Sequence, residues 1–317
     1  MIKNPNYMPL NYLGLLTVSP LMVEFMTRVE KVAKTNASIL VRGDSGTGKE
    51  LVARYIHHCS TRREESFSAI NCAALSSELM ASELFGHKKG AFTGAIADRK
   101  GLLEQTHNGT LFFDEIAEMP LDIQARLLRV TQDHLYTPVG SSQLLESNIR
   151  LVSATHKSLR SLVKDGGFRE DLMYRVRVIP LFLPKLTERG EDLPMLIWHF
   201  IEQLNAKSER QVKSIAKDAW QAMLNYSWPG NVRELANMIE YAHAVGSNEC
   251  LTYDDLNPDL YPEHDSSLPA VKSAINKDAS LDDIQNLMLQ YSGNKSQVAD
   301  ALGISRTTLW RRLNRAT

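Results

Sequence analysis

A glycine-rich run with one lysine is the first part of this sequence whose residue types could do chemistry. Residues 43–50 read Gly-Asp-Ser-Gly-Thr-Gly-Lys-Glu, and the spacing of their glycines from Lys49 is that of a phosphate-binding loop. The run follows an apolar segment at 38–41 and opens a helical pattern at 50–56, as this motif requires. The predicted nucleotide-binding residues are Gly43, Asp44, Ser45, Gly46, Thr47, Gly48, Lys49 and Glu50.

The residue types in this run suit a phosphate ligand. Small residues let backbone N–H groups converge on phosphate oxygens, a helix N-terminus adds partial positive charge, and Lys49 adds a full charge. Glu50 stands where the motif usually has Ser or Thr, so this chain lacks the hydroxyl that usually contacts Mg²⁺. The alternative interpretation is a glycine turn before an ordinary helix.

A pair of carboxylates at the end of an apolar segment is the second chemical feature. Asp114 and Glu115 follow the segment 110–113, and carboxylates at the C-terminal end of a buried strand lie in the crevice where ligands bind. Asp114 can hold Mg²⁺ through water, while Glu115 can orient and deprotonate an attacking water molecule. Together with the phosphate loop, the pair predicts hydrolysis. The alternative is an acidic start to a helix.

ATP is the expected nucleotide by elimination. A guanine-selecting site would carry an Asn-Lys-x-Asp sequence, and none is present. The nearest run, Asn-Lys-Ser-Gln at 294–297, fails at its last residue and lies far from the phosphate loop.

Alternating strand and helix patterns must position these groups. Apolar strands are predicted at 38–41, 67–70, 110–113, 149–154 and 178–183, with helical stretches between them. This alternation predicts an α/β fold, a P-loop parallel sheet with helices on both faces. After Pro184 the strand pattern stops. Amphipathic helices are predicted at 193–204, 214–226 and 231–245, and they indicate a smaller all-α domain.

These patterns divide the chain into five segments. We expect a short tail at 1–16, the α/β nucleotide-binding subdomain at 17–184, a helical lid at 185–256, a proline-containing polar linker at 257–279 and a helical module at 280–317. The segment before the first motif is too short for a sensory domain. The absence of a sensory domain predicts either that a separate regulatory protein controls this one or that the chain was cut from a longer one.

Composition limits where the protein works. The chain has 43% hydrophobic and 23% charged residues, which is ordinary for a globular protein. Its net charge of −1 means that any basic surface must be local. The three cysteines fit no metal site and indicate a reducing compartment. No apolar run approaches the roughly 18 residues of a membrane span, and the start lacks a signal pattern, so we expect a cytoplasmic protein.

A loop that lies in sequence between the glycine-rich run and the acidic pair resembles a segment of a known family. Its sequence is Gly90, Ala91, Phe92, Thr93, Gly94 and Ala95. This segment matches, letter for letter, the signature loop of the sigma-54-dependent transcription activators, the bacterial enhancer-binding proteins of the AAA+ class. In that family the loop grips sigma-54, so the resemblance implies that Phe92 and Thr93 form the contacting tip. The alternative is a glycine-rich surface loop whose Phe packs into the core.

Further motifs resemble the same family over roughly residues 15–250. Asn71 resembles the family's switch asparagine, which links the catalytic Glu to loop movement, although it could instead cap the following helix. Arg169 and Arg175 resemble arginine fingers that reach the neighbouring subunit's ATP. Their alternative role is pairing with Glu170, Asp171 or other surface carboxylates.

Two motifs resemble the family's nucleotide sensors. Arg233, in Trp-Pro-Gly-Asn-Val-Arg-Glu-Leu, resembles the second sensor, which contacts the γ-phosphate from the lid, with Glu234 as its partner if it is merely structural. Asn231 is a plausible cap of the lid helix. Thr155 and His156 stand at the first sensor, where family members commonly have Asn in place of the His. A histidine there could hydrogen-bond near the γ-phosphate and titrate near neutral pH, or could simply be packed or exposed.

The end of the chain predicts a helix-turn-helix. Residues 294–313 have apolar helix faces separated by a glycine turn, and they resemble the Fis-type module that ends these activators. Residues 295–317 hold five basic residues and one acidic residue, which suits DNA phosphates. The alternative is a small oligomerisation module with a basic face. The predicted DNA-binding residues are Ser305, Arg306, Thr307, Thr308, Arg311 and Arg312.

The resemblance implies a ring-forming ATPase that uses ATP and Mg²⁺. Its implied partners are sigma-54, RNA polymerase, enhancer DNA and further copies of itself, from dimer to hexamer. One rival is an AAA+ motor that translocates on DNA or loads other proteins onto it. A second rival is a transcription factor that binds ATP without turnover.

Overall fold

A five-stranded parallel sheet carries the phosphate-loop half of the chain. In the computed structural model, which describes residues 1–256 and Val298, the strand order is β4-β5-β8-β3-β9. The five strands and two short hairpin pairs are β1 Leu10–Tyr12, β2 Leu15–Thr17, β3 Ile39–Arg42, β4 Phe67–Asn71, β5 Thr110–Asp114, β6 Leu135–Tyr136, β7 Leu145–Glu146, β8 Arg150–Thr155 and β9 Ile179–Phe182. The expected α/β fold is confirmed, with strand ends differing by about one residue from those predicted.

Helices cover both faces of this sheet. They are α1 Pro20–Ala33, α2 Lys49–His58, α3 Ser77–Phe85, α4 Leu102–Gln105, α5 Leu121–Asp133, α6 Leu159–Lys164 and α7 Glu170–Val176. One apolar core contains Val29 of α1 and Ile56 of α2, and the core on the other face contains Met80, Leu127 and Leu172. Because both faces are covered, the central strand β8 is buried along its whole length.

The expected tail at 1–16 is more ordered than the sequence suggested. Strand β1 pairs antiparallel with β2, whose Leu15 is buried. Ile2 exchanges two backbone hydrogen bonds with Ile215, of 2.7 and 2.9 Å between N and O. Because Ile2 and Ile215 are far apart along the chain, no local pattern in the sequence could predict this contact.

A helical lid follows the sheet. Its elements are α8 Asp192–Asn205, β10 Ser214–Ile215, α9 Lys217–Asn225, α10 Asn231–Val245 and β11 Cys250–Leu251, with 3-10 turns at Leu186–Arg189 and Tyr253–Asp255. The lid core surrounds Trp228, whose Nε1 donates to the Met223 carbonyl at 2.9 Å. The expectation that strands stop after Pro184 is wrong, because β10 and β11 form a parallel pair. In the described part of the chain, no helix is long and apolar enough to cross a membrane.

The predicted linker and DNA-binding module lie outside the described residues, apart from Val298. The DNA-binding residues predicted in that module therefore stay predictions. These are Ser305, Arg306, Thr307, Thr308, Arg311 and Arg312.

A fully buried carboxylate joins the lid to the segment before α1. Asp192 accepts hydrogen bonds from the Thr17 hydroxyl at 2.8 Å and from the backbone N–H groups of Val18 and Ser19 at 2.7 and 3.0 Å. The buried Arg189 guanidinium lies 3.6 Å from its other oxygen. Buried charges persist only where such partners satisfy them.

Replacing Asp192 by alanine is expected to lower the free energy of unfolding by about 3–5 kcal/mol, because it leaves a buried guanidinium unpaired. Urea denaturation followed by circular dichroism measures the change. Asp218→Ala, which removes an exposed carboxylate of the lid, is the matched control and is expected to cost less than about 1 kcal/mol. Equal stability of the two variants would contradict this account of the cluster.

Candidate active site

The chemistry-bearing side chains converge where strands β3, β4, β5 and β8 end. In the sheet register Asn71 is opposite Asp114, and Arg42 is opposite Thr155. The phosphate loop leaves β3 at this same edge, which is where ligands bind in open parallel sheets. Four sequence-predicted motifs are therefore brought together. The phosphate loop, Asn71 and the acidic pair line one side of a cleft of about 620 Å³, and α8 and α10 of the lid line the other. Thr155 and His156 join this side through their contacts with Glu115.

The phosphate loop folds around its own lysine. Helix α2 begins at Lys49, which is buried, and its ammonium donates to the carbonyls of Gly43 and Asp44 at 3.0 and 3.3 Å. The Thr47 hydroxyl donates to the Asp44 carbonyl at 2.8 Å. Glu50 faces outward and pairs with Arg54 one turn along the helix, at 2.8 Å. Glu50 also lines the cleft, and its part in nucleotide binding stays a prediction.

Glu115 is the most heavily contacted carboxylate of the site. The Lys49 ammonium lies 3.2 Å from Oε1, and Nδ1 of His156 lies 2.8 Å from Oε2. The Thr155 hydroxyl lies 3.4 Å from the same Oε2. Burial alone would raise the pKa of Glu115, but the His156 and Lys49 contacts outweigh it and lower that pKa. Glu115 is therefore held ionised, as a general base must be.

Asp114 has the opposite electrostatic setting. Burial raises its pKa, and the neighbouring Glu115 charge raises it further. Asn71 Nδ2 lies 3.4 Å from its Oδ2. A bound cation would relieve this repulsion, so the residues fit Mg²⁺. Among the described residues no group of three or more His, Cys, Asp or Glu could hold a metal ion.

Asn71 lies beside the acidic pair in the cleft, and its role as a switch stays a prediction. It contacts Asp114, and Glu115 is held by Lys49 and His156 instead. The alternative of a helix cap is wrong, because Ser76 caps α3 and Asn71 accepts only from the Ala73 N–H at 2.9 Å. The 3-10 turn after Glu115 begins at the acidic pair, as the alternative interpretation expected, and the catalytic role of the pair stays a prediction.

The lid contributes two further side chains to the cleft. Arg233 Nη1 donates to the Ser45 hydroxyl at 3.2 Å, and Glu234 binds the Gly230 N–H instead of Arg233. Asn231 makes no cap of α10, whose N-cap is Gly230. It is buried, accepts from the Leu186 N–H at 2.8 Å and donates to the Ser45 carbonyl at 3.0 Å. The Asn231 cap prediction is therefore wrong.

The loop from Gly90 to Ala95 lies apart from the cleft and closes on itself. The Gly90 N–H donates to the Ala95 carbonyl at 2.8 Å, and Gly94 adopts a φ of 103° that a larger residue would rarely adopt. Thr93 is exposed, but the Phe92 ring is half-buried, with its centroid 4.9 Å from that of His87. Phe92 thus differs from the exposed anchor that the sequence suggested, because the buried His87 offers it an aromatic partner.

The two candidate arginine fingers lie on the exposed helix α7 and its start. Arg169 pairs with Asp171 through Nη2 at 2.7 Å and Nε at 3.1 Å, as the alternative interpretation proposed. Arg175 is exposed and has no ion pair within the described residues. Neither reaches the cleft of its own chain.

Sequence reasoning missed Arg189, Asp192 and His87. Arg189 lines the cleft and donates to the Thr47 carbonyl at 3.1 Å. In the sequence, Arg189 and Asp192 have the appearance of surface charges around a turn. Nothing in the sequence marks His87, which stands just before the signature loop, as buried. Only the three-dimensional fold reveals that all three are buried.

Fold and site together define a P-loop NTPase domain of the AAA+ class, with its helical lid. Residues 15–182 match the Sigma-54 interaction domain, 187–273 the AAA+ ATPase lid domain and 283–315 the bacterial regulatory proteins of the Fis family. The chain belongs to the sigma-54-dependent transcriptional activators.

Named relatives agree with this assignment. The chain is 42% identical over 308 residues to the regulatory protein AtoC of Escherichia coli, covering 94% of this chain and 67% of AtoC. It is 40% identical over 332 residues to the transcriptional regulator NtrC of Azospirillum brasilense, covering 95% and 69%. A solved structure of NtrX from Brucella abortus in complex with ATP has 32% identity and a TM-score of 0.71, covering 95% and 68%. The chain thus spans about two thirds of each.

Proposed function

We propose that the chain hydrolyses ATP as a ring oligomer and uses that energy to remodel sigma-54 RNA polymerase at a promoter. The observation that carries this proposal is the pairing of Lys49 with Glu115 at 3.2 Å, beside a cleft that the lid also lines. It joins a phosphate-binding group to a carboxylate able to activate water. The solved NtrX complex with ATP supports the choice of nucleotide.

Hydrolysis would proceed by attack of water on the γ-phosphorus. Glu115 accepts the water proton as the new P–O bond forms, and the bond from the γ-phosphorus to the bridging oxygen breaks to release ADP. Lys49 turns from Glu115 to the outer phosphates, which frees that carboxylate for the water. Asp114 would hold Mg²⁺ through water, and the ion would neutralise phosphate charge. Thr155 and His156 would respond to the γ-phosphate through their contacts with Glu115, and Arg233 would respond from the lid side of the cleft.

A neighbouring copy would complete the site through its arginines. Arg169 at the N-cap of α7 and Arg175 on its exposed face both lie outside the lining of the chain's own cleft. The Arg169–Asp171 pair is exposed to solvent, which screens it, so breaking it costs little. A guanidinium delivered from the next subunit would stabilise charge on the transferring phosphoryl group.

Side-chain contacts and one connecting stretch of chain link the acidic pair to the signature loop. Asn71 contacts Asp114 and leads into α3, where the Ser82 hydroxyl lies 2.8 Å from Nδ1 of His87. The His87 ring in turn packs on Phe92. We infer that the presence or loss of the γ-phosphate shifts these contacts, and that Phe92 and Thr93 then engage sigma-54.

The C-terminal module would bind enhancer DNA. Its five basic residues suit DNA phosphates, with Arg306, Thr307 and Thr308 near base edges and Arg311 and Arg312 at phosphates. The match to the Fis family over 283–315 supports this role.

Glu115→Gln is expected to lower the rate of ATP hydrolysis by about 100-fold or more and to leave ATP binding intact, because an amide cannot accept the water proton. Phosphate release at saturating ATP measures the rate. Glu118→Gln, the same change three residues along the chain, is the matched control and should retain activity. Equal, negligible rates for wild type and Glu115→Gln would favour a transcription factor that binds ATP without turnover.

Thr93→Ala is expected to abolish formation of open promoter complexes with sigma-54 polymerase while ATP hydrolysis continues, because the exposed Thr93 lies far from the cleft. Permanganate footprinting of the promoter and phosphate release report the two activities separately. Thr61→Ala, another exposed threonine, serves as control. If Thr93→Ala opened promoters like wild type, the alternative of a DNA-translocating or loading motor would gain support.

A further inference from the structure

Three successive carbonyls of the phosphate loop are held by the lid. The Ser45 carbonyl accepts from Asn231 Nδ2 at 3.0 Å, the Gly46 carbonyl from the Val232 N–H at 3.1 Å and the Thr47 carbonyl from Arg189 Nη2 at 3.1 Å. The two carbonyls before them are held within the loop by Lys49. The loop backbone is therefore oriented from two sides, and the lid alone holds its last three peptide units.

These contacts fix the direction of the phosphate-binding N–H groups. Each of these peptide bonds is trans, so the C=O and N–H of one unit point in opposite directions. Carbonyls turned toward the lid residues therefore turn the N–H groups of Gly46, Thr47 and Gly48 the other way. Within the described part of the chain, those three N–H groups donate to no protein acceptor. These three N–H groups are therefore available to donate hydrogen bonds to an anion.

The lid lies so close that no side chain fits between it and the loop. A Cβ at Gly46 would lie 2.1 Å from the Gly230 carbonyl oxygen, and Gly46 has a φ of 75°. Asn231 itself has a φ of 52°, which Asn adopts more readily than most residues. Its amide bridges two lid segments to the loop, because its oxygen accepts from Leu186 while its nitrogen donates to Ser45.

Arg189 is held in place for its contact by a second buried charge. It lies 3.6 Å from Asp192, and both side chains are almost fully buried. Asp192 is in turn bound to the segment at 17–19. The contact from Arg189 to Thr47 is therefore part of the packed lid and does not depend on a flexible surface side chain.

We propose that Asn231 and Arg189 are positioning residues that orient the backbone N–H groups of Gly46, Thr47 and Gly48 toward the phosphates, so that lid docking and formation of the phosphate cradle are one event. This inference rests on the proposed nucleotide site and extends it from Arg233 to the lid residues behind the loop. Arg233 would contact the nucleotide directly, whereas these two residues act through the loop backbone.

Asn231→Asp tests the proposal with the least disturbance. Aspartate keeps the size, tolerates positive φ and still accepts from the Leu186 N–H, but it cannot donate to the Ser45 carbonyl. We expect the affinity for ATP and ADP to fall by about tenfold, which is the effect of one lost contact with an oriented group. Stabilisation by AMP should be unchanged, because AMP lacks the β-phosphate. The rise in melting temperature with each ligand reports even weak binding.

Controls separate orientation from charge and from misfolding. Asn237→Asp adds the same charge at an exposed position of α10, and repeating the titrations at higher salt weakens any charge effect while sparing the lost hydrogen bond. Arg189→Lys is the second variant, since it keeps the pairing charge for Asp192 but loses the planar fork that reaches Thr47. It should give the same phosphate-specific loss.

Two results would overturn the proposal. Wild-type affinities in both variants would show that the lid contacts do not orient the cradle. A proportional loss for ATP, ADP and AMP would show a general role in holding the lid. A wild-type protein that binds neither ATP nor ADP would instead contradict the proposed function itself.

Discussion

The contact between Lys49 and Glu115 is the interaction on which the rest of the structure depends. It exists because β3 and β5 are parallel strands of one sheet, separated only by β8, and their carboxyl ends meet at the same edge. The apolar strands fix the register, and the register fixes which charged residue leaves each strand. A lysine that is buried and a carboxylate that is mostly buried satisfy each other there until a phosphate competes for the lysine.

The lid gives this edge a second boundary. Its contacts reach the phosphate loop through the backbone as well as through Arg233, so the nucleotide pocket is shared between two separately packed cores. At this boundary the buried charges of Asp192 and Arg189 are paired with each other. The lid contacts thus reach the phosphate loop directly. Under the proposed function, changes at Asp114 would pass through α3 toward His87 and Phe92.

Local patterns in the sequence were enough for the sheet and for the chemical groups at its edge. Apolar runs ended where strands end, and the spacing of glycines from Lys49 required a strand before and a helix after it. Local patterns could not predict contacts between parts of the chain that are distant in sequence. Nothing near Asn231 signals that its amide turns to Ser45, and nothing near Ile2 signals its pairing with Ile215. The position of Phe92 depends on a histidine whose burial only the fold determines.

Hydrogen exchange of the loop at 90–95 tests the central claim most directly, because that claim links chemistry at Glu115 to a loop outside the cleft. The amides of Gly90 and Ala95 are hydrogen-bonded within the loop, so they report its opening. The account predicts faster exchange of these amides with ADP and aluminium fluoride, which mimics the transferring phosphate, than with ADP alone. Identical exchange in the two states, in a protein shown to bind both ligands, would contradict it.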